Sequence, residues 1–169
     1  MVQTVELLPD DATEAVVRAQ WDALAAAGLP SQARHAAATN RPHVTLAVCS
    51  AVPASVERGL VGAVTALPIP LRLGGLLVFG DRRRVLARLV VPSPDLLRVH
   101  ADVAAVLGEC PDPSPLLAPG RWTAHVTLAH GLREDQLGAA LAVCAGEDVD
   151  GLAVAARRYD GDARTDWLL

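Results

Sequence analysis

A chain of 169 residues with a net charge of −4 can bury one sizeable core without disulfides or structural metal, so a single domain over residues 1–169 is expected. Hydrophobic residues make up 51% and the mean hydropathy is +0.30, yet no run approaches the roughly 18 apolar residues of a spanning helix, and no membrane partner is expected. All fifteen cations are Arg, whose planar forks suit phosphate, but the acidic balance and 3% aromatic content argue against a track for long nucleic acid.

Val2 to Leu8 reads as a first strand, ended by Pro9. Met1 to Asp11 has no basic start followed by an apolar run, so no secretory signal and a cytoplasmic location are expected. Asp10 to Glu14 supplies the cap and acidic first turn of a helix running to about Ala27, stopped by Gly28 and Pro30. A loop from Ser31 to Arg41 leads into a strand, and Pro53 to Ala66 reads as a second helix. Pro68 opens a strand towards Phe79, with Gly74-Gly75 marking a bulge or turn inside it. After Gly80-Asp81 the order begins again. Arg84 to Val91 is a strand and Pro94 to Leu107 a helix capped by Ser93, followed by a Pro-rich loop from Pro111 to Gly120. Then come a strand from Trp122 to Ala129, a helix from Arg133 to Ala145, a strand from Gly151 to Arg157 and a final strand near Arg164 to Leu169. Both halves read strand, helix, strand, helix, strand, which predicts an internal duplication of about 1–80 and 81–169 folded as two facing lobes. Cys49, Cys110 and Cys144 are odd in number and in no Cys-x-x-Cys pattern, so they read as packing residues.

The second strand of each half carries the same five letters, His43-Val44-Thr45-Leu46-Ala47 and His125-Val126-Thr127-Leu128-Ala129. His-x-Thr-Leu is expected by chance only on the order of 0.04 times in such a composition, and two copies far less often. Polar and apolar alternation sets His43 and Thr45 on one strand face, with Val44, Leu46 and Val48 towards the core, and sets His125 and Thr127 against Val126 and Leu128. Two lobes facing each other would bring both polar faces into one cleft. Two imidazoles can serve as base and acid at neutral pH, and two hydroxyls can donate to the non-bridging oxygens of a phosphoryl group. Neither motif supplies a carboxylate at ligand spacing, so no metal and no cofactor is expected.

At these residues the chain resembles the 2H phosphoesterase superfamily, and within it the 2′-5′ RNA ligase-like and 2′,3′-cyclic phosphodiesterase proteins. The resemblance implies a bilobal α+β fold, two antiparallel-type sheets flanked by helices around a central cleft. It also implies metal-independent hydrolysis of nucleotide cyclic phosphates or short 2′-5′ linkages. In that pattern His43 protonates the leaving oxygen, His125 activates water, and Thr45 and Thr127 bind the phosphate; the symmetry of the two motifs leaves the acid and base assignment open from the residues alone. Relatives carry an aromatic residue where Ala87 follows Arg84-Val85-Leu86, and an arginine near the position of His130. Alternation puts Arg84 and Arg88 on one face, where they are expected to line the cleft with Arg41 and His130, while Trp122 is a candidate to stack a base. The expected partner is a small nucleotide cyclic phosphate or short RNA end acted on by a monomer. RNA end joining and phosphate binding without turnover are the alternatives.

Overall fold

The computed structural model describes residues 2–169. Strand β1 (Gln3–Pro9) turns at Asp10 into helix α1 (Asp11–Ala26). The Asp10 carboxylate accepts from the backbone N–H groups of Thr13 at 2.8 Å and Leu152 at 2.5 Å, so the cap that starts the helix also ties it to a distant strand. The remaining elements are β2 (Val44–Cys49), α2 (Glu57–Ala63), β3 (Ile69–Phe79), β4 (Arg84–Val90), α3 (Pro94–Val106), β5 (His125–Leu132), α4 (Glu134–Cys144), β6 (Val149–Asp160) and β7 (Thr165–Leu168). Helix α2 is shorter than its sequence pattern. It has no side-chain cap, and Gly59 and Gly62 weaken its propensity, so it begins as a 3₁₀ turn over Ala54–Val56.

The strands form one antiparallel sheet in the order β1-β2-β5-β4-β3-β6-β7, with β6 also pairing with β1. Six strands therefore close a circuit of two arms. One arm is β2, β1 and the second half of β6; the other is β5, β4 and the second half of β3. The first halves of β3 and β6 pair with each other from Ile69↔Ala153 to Leu73↔Val149 before each strand crosses to its arm. At the opposite side the arms meet through one bridge, Val44↔Val126. The two sheets expected from sequence are these arms, and the Gly74-Gly75 irregularity is where β3 shifts register against β4.

Helices cover one face of the circuit. Helix α1 packs on α4, β5 and β6, and α3 packs on α2, β2 and β3. Between helices and strands lies a continuous apolar core that includes Val17, Trp21, Leu24, Val44, Leu46, Leu96, Val103, Val126 and Leu128. Removing such side chains from water is the main favourable contribution to folding.

A bulge interrupts each motif strand at the same place. Against β1 the register slips between Val5↔Ala47 and Glu6↔Thr45; against β4 it slips between Leu86↔Ala129 and Ala87↔Thr127. The extra residue is Leu46 in one copy and Leu128 in the other, and it lets two consecutive side chains share a face. Leu46 and Ala47 are both buried, as are Leu128 and Ala129. The bulge also corrects the simple alternation expected beyond it: Cys49 is buried and Val48 only half-buried.

At the crossing of β3 and β6, Gly151 pairs with Leu71 and backs onto the first turn of α1. A Cβ there would collide with Thr13 Oγ1 and lie 2.9 Å from Asp10 Oδ2. Gly151→Ala is expected to cost about 1–3 kcal/mol, read as a lower urea midpoint; an unchanged midpoint would show that the α1 cap does not depend on this close approach.

Candidate active site

Residues flanking a cross-strand pair face away from the side to which that pair points. Val44 and Val126 point into the core, at 0% and 1% exposure. His43, Thr45, His125 and Thr127 therefore surround the bridge on the helix-free face, all four partly exposed. Thr45 lies across from His125 and His43 across from Thr127, which leaves the two histidines on a diagonal of roughly 7–8 Å. Two side chains so spaced can approach one phosphate from opposite sides.

Their rings are held in the same way. His43 Nδ1 lies 2.8 Å from the Arg41 carbonyl, and His125 Nδ1 lies 2.7 Å from the Thr123 carbonyl, each two residues back. A carbonyl only accepts, so Nδ1 carries the hydrogen in both and Nε2 is the nitrogen left for proton exchange. The motif backbones are held alike as well. Trp122 Nε1 donates to the Thr45 carbonyl and Trp21 Nε1 to the Thr127 carbonyl, both at 3.0 Å, so indoles satisfy acceptors beside the bulges, where the ladder is disturbed.

Beyond this symmetry the surroundings differ. Beneath His43, the buried Glu6 places Oε1 3.6 Å from Nε2. Glu6 is bound in turn by Arg157 Nε at 2.8 Å and by the Thr4 hydroxyl at 2.6 Å, and Arg157 also donates to Asp166 and the Thr39 carbonyl. Beside His125 stands the Phe79 ring, 4.8 Å away and tilted 49°. His130, exposed farther along β5, has its imidazole pushed below its ordinary pKa, first by partial withdrawal from water and then by repulsion from His125, His35 and His43. Four of the five histidines thus share one electrostatic neighbourhood. Among the described residues, no three His, Cys, Asp or Glu side chains converge on a point that would hold a metal ion.

The other residues expected to bind substrate fall differently. Arg84 and Arg88 do share a face with Leu86, but it is the face of the core. Arg88 pairs in register with Val126, is 3% exposed, and donates to the Gly74 carbonyl at 2.8 Å and to Gln20 of α1. Arg84 turns towards Glu134 at the start of α4. It is Ala87 and Leu89 that lie level with Thr127 and His125. Trp122 lays one ring face against His100, 4.0 Å away and nearly parallel. Arg41 is drawn to Glu14, and His130 lies within electrostatic reach of His125, His35 and His43. Glu6, Arg157, Phe79 and His35 were not singled out by sequence. The signal available for Glu6 was a lone acid inside the apolar run Val5-Glu6-Leu7-Leu8.

A cavity of about 510 Å³ lies between α1 and residues 145–149 with Arg88 in its wall. The four motif side chains are partly exposed, which suffices for an anion gripped by a few donors.

Two expectations follow. Trp122→Phe keeps an aromatic face for His100 but removes the donor to Thr45, and should cost about 1 kcal/mol while lowering turnover; a variant with wild-type stability and rate would show that the indole bond is idle. His100 is buried with its pKa held below the ordinary 6.5 by loss of water, and the pKa of the more exposed His130 is lowered as well. The unfolded chain then binds more protons, so the stability these groups contribute is present above about pH 6.5 and is lost as the pH falls through their folded values. Urea midpoints should decline between pH 7.5 and 5, whereas a flat profile there would contradict the assignment.

The family model of the 2'-5' RNA ligase superfamily matches residues 9–158. No curated protein sequence matches the chain. Among solved structures, Usb1 from Kluyveromyces marxianus has a similar fold, with a TM-score of 0.54 and 14% identity over 99% of this chain and 97% of that one. A second structure of that protein, with uridine monophosphate, gives a TM-score of 0.50 and 14% identity over 99% and 98%.

Proposed function

The chain belongs to the 2′-5′ RNA ligase superfamily, and from that premise we propose that it is a metal-independent phosphodiesterase that hydrolyses nucleotide 2′,3′-cyclic phosphates or short 2′-5′-linked nucleotides. The observation that carries this reading is the single Val44↔Val126 bridge, with two histidines and two threonines around it on one face. His125 Nε2 takes a proton from water as its oxygen bonds to phosphorus. His43 Nε2 gives a proton to the ribose oxygen as the opposite P–O bond breaks. Thr45 and Thr127 donate to the non-bridging oxygens as charge builds on them. The step leaves His125 with one proton more and His43 with one fewer, exchange with solvent resets both, and no group is oxidised or reduced. Phe79 beside His125 offers a ring face to a base, in place of the aromatic residue that Ala87 lacks, and His130 is a further donor to the phosphate.

Substrate size follows from where the arginines are spent. Arg41 is paired with Glu14, Arg84 with Glu134 and Arg157 with Glu6 and Asp166, while Arg88 is buried. That takes these four out of any cationic stripe beside the histidines for an extended RNA. We also read residues 1–80 and 81–169 as repeats of one unit; the motif histidines lie 125 − 43 = 82 residues apart, and the two bulges in matching register support that reading.

His43→Ala and His125→Ala should each lower turnover of a cyclic nucleotide on the order of 10²–10⁴-fold, with full activity retained in EDTA. Activity that disappears with chelator and returns with zinc would replace the acid/base reading with a metal one. Binding of a cyclic mononucleotide should weaken only slightly between low and physiological salt, since few counterions are released. A steep salt slope with strong preference for long RNA would instead favour end joining.

A further inference from the structure

We infer that Glu6 is a positioning residue that makes His43, and not His125, the proton donor of the site; the inference rests on the phosphodiesterase reading above. The two motif strands agree in their bulges, in the Nδ1 bond of each histidine to the carbonyl two residues back, and in the indole bonded to each threonine carbonyl. They differ at the residue paired with the motif threonine. Thr45 is paired with Glu6 and Thr127 with Ala87. The bulges make these two positions equivalent, since Val5↔Ala47 precedes one and Leu86↔Ala129 the other.

The difference has electrostatic content. Nδ1 of His43 already carries its hydrogen, so any further proton sits on Nε2, where it faces the Glu6 carboxylate oxygen 3.6 Å away. A bare Nε2 lone pair would face the same oxygen with repulsion, whereas an N–H is attracted to it. At His125 the corresponding wall is the Ala87 methyl and the Phe79 ring, which offer no acceptor to a proton on Nε2. The carboxylate is also aimed: Arg157 holds Oε2 and the Thr4 hydroxyl holds Oε1, and both partners are buried. The other charged or titratable groups around the pair are Arg157 behind Glu6, with Asp166 beyond it, and the imidazoles of His125, His130 and His35. Among the described residues, Glu6 is the acidic group in contact with a motif histidine. It does not touch substrate; it acts through His43, keeping an Nε2–H available until the proton passes to the leaving oxygen.

The test is a double-mutant cycle on hydrolysis of uridine 2′,3′-cyclic phosphate, with fold checked by circular dichroism. Glu6→Gln should lower kcat roughly tenfold with KM nearly unchanged in the wild-type background, and by less than about twofold in a His43→Ala background, because a residue acting only through His43 has nothing left to act on. In a His125→Ala background the full loss should return. Equal losses in all three backgrounds would mark Glu6 as merely structural and overturn the inference, as would no loss in the wild type. If Glu6→Gln leaves Arg157 too poorly compensated to fold, Glu6→Asp keeps the charge while drawing the carboxylate back from Nε2, and the same pattern of losses is expected with smaller size. A folded wild-type protein that hydrolyses neither cyclic nucleotides nor 2′-5′ dinucleotides overturns the phosphodiesterase reading and this inference together, whereas an active protein with additive losses overturns the inference alone.

Discussion

Val44 and Val126 are paired at the one point where the two arms of the sheet meet on the β2–β5 side, and the arrangement of the candidate site depends on that pairing. Both valines are buried, so burial of apolar surface, and not any contact between the polar groups, sets which way the neighbouring residues face. A slip of one residue in either strand would carry one histidine and one threonine into the core. The bulges at Leu46 and Leu128 reinforce the choice, because each lets two consecutive apolar side chains anchor the strand on the core side while the polar residues before them stay on the open face. Bulges beside functional residues commonly re-aim side chains in this manner.

Much of this was legible in the letters. The exact repeat of His-Val-Thr-Leu-Ala, the alternation within it and the recurring element order predict two equivalent strands with their polar faces turned the same way. Capping residues marked the starts of α1 and α3, where Asp10 and Ser93 accept the bonds they were expected to accept. The crossing of β3 and β6 between the arms was not legible, since periodicity shows that a strand has an apolar face but not which neighbour will pair with it. Nor were the bulges, which insert a residue without changing the apolar count.

Arg84 and Arg88 show where local pattern runs out. Alternation put them on a common face correctly, but the identity of that face depended on Leu86, which lies at 0% exposure in the core. An arginine inside an apolar stripe looks like a ligand-binding residue until its carbonyl partners are known; Arg88 has them in Gly74 and Glu147. Trp122 illustrates the same limit, because its partners, His100 and the Thr45 carbonyl, lie on other elements. Glu6 is the converse case. No local pattern marked it, yet it is 4% exposed and bonded to Arg157, a contact between residues 151 positions apart.

The central claim is that both motif histidines present Nε2 to a single phosphate while Nδ1 stays bound to backbone. The most direct test is a ¹H–¹⁵N correlation spectrum of the imidazole nitrogens during titration with a non-hydrolysable uridine 2′,3′-cyclic phosphate analogue. The account predicts that the Nε2 signals of His43 and His125 move together and saturate at one equivalent, with both Nδ1–H signals unmoved. Movement of only one of the two histidines, or saturation at different ligand ratios, would contradict it.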